Sequence, residues 1–103
     1  MLAYQIRVKA KQGQTQKLID LVLSEVAADR KRINCDCVFR AYMAEFGQPW
    51  DEVVLEWEYE NLADYEQRWA DWGAQPTTPQ YMKKWNELTE PGFVTTMWNL
   101  RTR

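Results

Sequence analysis

What most constrains this chain is the way its apolar residues change period, from two to about 3.6 and back again. Residues 2–10 alternate, with Leu2, Tyr4, Ile6 and Val8 on one face and Ala3, Gln5, Arg7 and Lys9 on the other. That is the pattern of a half-buried strand, and Gly13 ends it. Over 15–33 the spacing turns helical: Leu18, Ile19, Val22, Leu23 and Val26 recur at steps of three and four, with Lys17, Asp20, Glu25, Asp29 and Arg30 mostly between them. Thr15 is the candidate N-cap.

Alternation returns over 35–46, where Cys35, Cys37, Phe39, Ala41 and Met43 oppose Asp36, Val38, Arg40 and Tyr42. After Gly47-Gln48-Pro49 it continues over 52–60, with Val53, Leu55, Trp57 and Tyr59 against Glu52, Val54, Glu56 and Glu58. Two alternating runs with a short connection predict an antiparallel hairpin. Asn61 is placed to cap a helix whose inner stripe is Leu62, Tyr65, Trp69 and Trp72, with Asp64 in its first turn and Gly73 as its stop. Thr78-Pro79 reads as an N-cap and first-turn proline for a further helix to about Leu88, which buries Met82, Trp85 and Leu88. Pro91-Gly92 turns into a last strand over 93–101, with Val94, Thr96, Trp98 and Leu100 alternating with Thr95, Met97, Asn99 and Arg101.

The order is β-α-β-β-α-α-β. Right-handed crossovers over the helices predict a four-stranded antiparallel sheet in the order 4-1-3-2 with the helices on one face, an α+β ferredoxin-like fold of β-α-β-β-α-β type. At 103 residues the chain suits a single domain, 1–103, without the need for covalent staples.

Once these elements are set out, the stretch from Val53 through Glu56, Trp57, Glu58 and Asn61 to Tyr65 resembles the strand-then-helix segment of NIPSNAP-like proteins, in the dimeric α/β-barrel superfamily. Glu45-Phe46-Gly47, Tyr81, Trp85 and the closing strand fit the same layout. The resemblance implies a homodimer in which two sheets face each other with helices outside, and a pocket within each protomer between sheet and helices. Relatives in the superfamily include cofactor-free quinone-forming monooxygenases, haem-degrading enzymes and polyketide cyclases. Fold alone does not choose among them.

Charge and residue type narrow the choice. The formal charge is −2, and the tightest basic cluster, Arg30-Lys31-Arg32, is too short to track a phosphate backbone, so no nucleic-acid partner is expected. No run approaches the roughly 18 apolar residues of a membrane span, and the first residues lack the basic start and apolar stretch of a signal peptide. A cytoplasmic location is the default expectation. Cys35 and Cys37 are the only cysteines. On one strand face they sit roughly 7 Å apart, which suits two small buried apolar side chains better than a disulfide.

The chain has no histidine, and Ser24 is its sole serine. Ser-His-Asp and Cys-His nucleophile arrangements are therefore excluded. The histidine ligand of haem-degrading relatives and the histidine base of cyclase relatives are also missing. With no glycine-rich phosphate loop either, neither a cofactor nor a metal is expected.

The aromatic content points further: fourteen residues are Phe, Trp or Tyr, six of them Trp. Tyr4, Trp57, Tyr59 and Trp98 are assigned to the sheet face under the helices, and Tyr65, Trp69, Trp72 and Trp85 to helix stripes facing back. Large apolar side chains at these periods ordinarily make a packed core. The alternative is a chamber for a small flat aromatic ligand, with stacking surfaces and polar handles. Asn61, Trp69 and Trp72 are of the residue types with which quinone-forming monooxygenases of the resembled superfamily stabilise a substrate anion, although Asn61 also has its capping role. These two outcomes, a binding protein and a cofactor-free monooxygenase or isomerase, are separated by acid–base groups on the aromatic face. Every carboxylate on strand 52–60 points away from that face, which favours binding. On the opposite face Glu56 and Glu58 are placed to meet Arg7 or Lys9 on one side and Arg40 on the other. The interleaved Ala3, Val38, Tyr42 and Val54 suit partial burial in a dimer.

Overall fold

A computed structural model describes residues 1–32, 38–43 and 51–99 of the chain. Its elements are β1 (Leu2–Ala10), α1 (Thr15–Arg32), β2 (Phe39–Met43), β3 (Glu52–Tyr59), α2 (Leu62–Gly73), α3 (Thr78–Leu88) and β4 (Thr89–Asn99). The four strands form one antiparallel sheet in the order β2-β3-β1-β4, the expected 4-1-3-2 read from the other edge. The fold is α+β and ferredoxin-like. Cys35, Cys37 and Glu45-Phe46-Gly47 lie outside the described residues.

Register explains which side chains meet. Tyr4 stands opposite Trp57, Ile6 opposite Leu55 and Val8 opposite Val53, so one face of β1 and β3 is continuously apolar. Leu18, Val22 and Val26 of α1 and Trp85 of α3 pack against it, and Leu18, Val53 and Leu55 have no exposed surface at all. Leu23, expected in the inner stripe of α1, is 47% exposed because it stands one position off that line. Leu62 likewise faces solvent at the start of α2.

The helix ends differ from expectation by about one residue. Leu18 N–H donates to the Gln14 carbonyl, so Gln14 takes the cap position and Thr15 the first helical one, where its hydroxyl donates to Asp51 Oδ1. Gly73 is the last helical residue of α2, and the C-cap is Ala74, in an ordinary right-handed conformation that needs no glycine. The N-cap of α3 is Thr77 and not Thr78. The Thr78 hydroxyl instead donates to the Trp72 carbonyl at 2.6 Å, which closes the α2–α3 corner.

β4 begins earlier than expected and carries an irregularity. Val8 pairs with Phe93 but Ala10 pairs with Thr89, so β4 spends two more residues than β1 over this interval. Pro91, which has no N–H to give the ladder, and Gly92, at φ 86°, occupy that bulge. Beyond it Phe93, Thr95 and Met97 align with Val8, Ile6 and Tyr4. Trp98 therefore pairs with Ala3 and stands on the face away from the helices, contrary to the expected assignment.

Candidate functional site

A cavity of about 200 Å³ lies between the sheet and the three helices. Trp57 and Tyr59 of β3, Trp69 and Trp72 of α2 and Trp85 of α3, all expected there, line it. The rings meet edge to face: Trp57 and Trp69 have centroids 6.0 Å apart, and Trp69 and Trp72 are 5.4 Å apart with planes at 78°. Edge-to-face contacts at such separations are the favoured aromatic geometry. Tyr4 and Tyr65 form a second layer behind the wall. Tyr4 lies 5.5 Å from Trp69 and 5.1 Å from Tyr65, and burial beside Tyr65 pushes its phenol up to about 12.

Two expected residues are elsewhere. Trp98 is 54% exposed on the opposite face, where its indole N–H donates to Gln5 Oε1 at 3.0 Å. Asn61 caps α2: its Oδ1 accepts from Asp64 N–H at 2.9 Å, and Asp64 Oδ2 accepts from Glu60 N–H at 3.0 Å. This reciprocal cap fixes Asp64 so that its other oxygen receives Arg68 Nε at 2.8 Å, which holds Arg68 at the cavity wall.

Polar lining comes from α1 and was missed in the sequence. Glu25 and Asp29 line the cavity on the same stripe as Val22 and Val26. Their spacing from Val22, three and seven residues, is the signal that marks them as inward-facing. Glu25 is doubly held: Oε2 accepts from Trp72 Nε1 at 2.7 Å and Oε1 from Arg32 Nη2 at 3.2 Å. Asp29 Oδ1 accepts from the same Arg32 nitrogen at 3.0 Å. Burial and the neighbouring Glu25 raise the Asp29 carboxyl above its ordinary range, and Arg32 only partly offsets them. Burial, reinforced by Glu25 and Asp29, pushes the Tyr81 phenol of α3 far upward. Phe93, 57% exposed, lines the cavity where it meets solvent.

One donor is left over. Trp69 Nε1 is buried and has no hydrogen-bond partner among the described residues. An unpaired buried N–H costs about 1–3 kcal/mol, and no acceptor among the described residues relieves it. Among the described residues no three His, Cys, Asp or Glu side chains gather as a metal site would require, and no helix is long and apolar enough to cross a membrane.

The open face of the sheet carries a polar chain across all four strands. Trp98 donates to Gln5, Gln5 Nε2 donates to Glu56 Oε1 at 2.7 Å, and Glu56 Oε2 accepts from Arg40 at 2.9 Å and Tyr42 at 3.2 Å. Arg40 also pairs with Glu58 at 3.3 Å, as expected, whereas Arg7 pairs with Glu52 and not with Glu56 or Glu58. Burial raises the Glu56 carboxyl, but these three donors outweigh it and hold it below its ordinary value.

Solved structures of similar fold agree with this layout. An uncharacterized NIPSNAP domain protein from Burkholderia xenovorans superposes with a TM-score of 0.79 at 13% identity, covering 98% of this chain and 95% of the other. A NIPSNAP family protein from Agrobacterium tumefaciens gives 0.76 at 16% identity, with 95% and 90% covered. An antibiotic biosynthesis monooxygenase gives 0.70 at 12% identity, with 99% and 100% covered. At these identities the likeness is one of fold. No curated protein sequence matches the chain at a significant level. The NIPSNAP family model matches residues 4–97, nearly the whole alternating and helical pattern described above, and the chain belongs to the NIPSNAP family.

Proposed function

We propose that this NIPSNAP protein is a homodimer in which each protomer, residues 1–103 as one domain, binds a small flat aromatic or apolar molecule between sheet and helices. The observation that carries the reading is the cavity itself, walled by indole and phenol rings. Apolar cavities of about 150 Å³ take up benzene. At about 200 Å³ this one has room for a larger ring system. The ring would stack against Trp57 or Trp72. The acidic, globular composition suits a cytoplasmic protein.

The dimer reading rests on the open sheet face. Val94 and Trp98 are more than half exposed there, and Tyr42 nearly so, beside a Glu56 carboxylate already drawn into the sheet. Apolar side chains ringing a satisfied polar network suit coverage by a second sheet.

A cofactor-free monooxygenase, which would build up a substrate anion, is the second reading, since Glu25 and Asp29 put acid–base groups on the aromatic face. Glu25 and Asp29 in the wall oppose the accumulation of such an anion, which ranks this reading below binding. Calorimetric titration with 2-naphthol and 1,4-naphthoquinone tests the binding reading. A saturable one-to-one isotherm per protomer is expected for at least one of them, and no heat of binding from any neutral bicyclic would count against it. Oxygen uptake on addition of the phenol would promote the second reading.

A further inference from the structure

Ring faces carry the negative end of the aromatic quadrupole, so a cavity walled by rings favours a cation as well as a flat apolar body. Here the charged side chains of the wall favour the same sign. Glu25 and Asp29, one turn apart on α1, both line the cavity, and a single nitrogen, Arg32 Nη2, serves Glu25 Oε1 at 3.2 Å and Asp29 Oδ1 at 3.0 Å. Arg68, which lines the cavity from α2, is matched by Asp64 at 2.8 Å. In and behind the wall, three carboxylates thus share two guanidinium groups. The rings stand beside the carboxylates of α1. Trp72 donates to Glu25 at 2.7 Å, and Tyr81 lies 5.6 Å from Trp72 with the planes at 89°, so these two rings form a corner next to that helix. Resting on the cavity reading above, we propose that the ligand of this site is a primary arylalkylamine in its protonated form, with its ammonium between Glu25, Asp29 and the Trp72–Tyr81 corner and its ring against Trp57.

The electrostatics of the wall agree. Burial raises the Asp29 carboxyl, Glu25 adds to that, and Arg32 offsets only part of it. Burial also raises the Tyr81 phenol, and the same two carboxylates add to it. A cation at this end of the cavity would relieve both groups. Its own cost is desolvation, since an ammonium taken out of water without partners would give up its proton. Two carboxylates and two ring walls replace that water, and a primary ammonium brings three N–H donors to them. An anionic ligand would meet like charge from α1, and a neutral one would leave the excess uncompensated.

The test is calorimetric titration at neutral pH with ligands of one shape and different charge: 2-naphthylmethylamine, a cation, 2-naphthalenemethanol, which is neutral, and 2-naphthoate, an anion. Wild type should bind the amine about tenfold more tightly than the alcohol, and the naphthoate most weakly. Asp29→Asn keeps the size of the side chain and removes its charge, and should bring the amine-to-alcohol preference close to parity. Asp29→Glu should keep most of that preference, which separates loss of the charge from loss of the fold. Equal affinity for amine and alcohol in wild type, tighter binding of the naphthoate, or a preference unchanged in Asp29→Asn would overturn the proposal and leave the cavity reading in place. No heat of binding from any of these ligands would remove both.

Discussion

The indole N–H of Trp72 donates to Glu25 Oε2 at 2.7 Å, which ties α2 to α1. Arg32 bonds the other oxygen of Glu25 and also the Thr77 hydroxyl, so the same carboxylate steadies the α2–α3 corner. Glu25→Ala would leave a part-buried indole donor without its acceptor and take one of the acceptors of the Arg32 guanidinium, which keeps Asp29 and Thr77. Urea unfolding should show a loss of about 1–3 kcal/mol, and Glu25→Gln, which keeps one acceptor, should lose less. Equal losses for the two variants would mean that the carboxylate is not the strut described here.

Asp29 and Glu56 should respond to pH in opposite senses. A raised folded-state carboxyl, as at Asp29, favours the native state below its unfolded value, and that contribution is lost as pH rises through the folded value. Asp29→Asn should therefore be at least as stable as wild type at pH 7, and the comparison should turn against it in acid. A higher urea midpoint for wild type at pH 7 would contradict this.

Glu56 is held low, so its contribution is present above the unfolded carboxylate value and is lost as pH falls through the lower folded one. Glu56→Gln should unfold at a lower urea concentration than wild type at neutral pH and show a shallower loss of stability in acid. Identical acid profiles would mean that the bonds from Gln5, Arg40 and Tyr42 do not stabilise the charged form.

The dimer should depend on the open sheet face. Val94→Asp combined with Glu58→Lys alters that face without touching the cavity wall. Sedimentation should find wild type as a dimer at micromolar concentration and the double variant as monomer. A monomeric wild type would remove the homodimer from the proposed function.

Most of the fold was legible because strand and helix periods alternate without interruption. Ile6, Val8, Val53 and Leu55 declared one buried face, and Leu18, Val22 and Val26 the stripe that covers it. Trp98 was placed on the wrong face because both faces of β4 carry apolar residues, so alternation alone cannot say which one meets the helices. That is decided by the pairing with β1, which puts Phe93, Thr95 and Met97 opposite Val8, Ile6 and Tyr4; the Pro91-Gly92 bulge adds two residues and leaves the faces unchanged. Glu25 and Asp29 were overlooked for a different reason. A charged residue on an amphipathic helix is ordinarily counted to the solvent side, and here Arg32 and Trp72 provide the partners that let two carboxylates stand inward. The unpaired Trp69 N–H has no sequence signature, since it depends on which groups fail to reach it.

The central claim, that the rings wall a cavity and do not fill a core, is tested most directly at Trp69. Tryptophan emission is followed while wild type and Trp69→Phe are titrated with 2-naphthol, alongside thermal unfolding of both. Phenylalanine offers the ligand a smaller ring, so binding should weaken about fivefold, near 1 kcal/mol, while the unfolding temperature stays level because the unpaired donor disappears as contact area is lost. Quenching that never saturates in either protein, together with a clear fall in the unfolding temperature of Trp69→Phe, would show a packed aromatic core in place of a binding site.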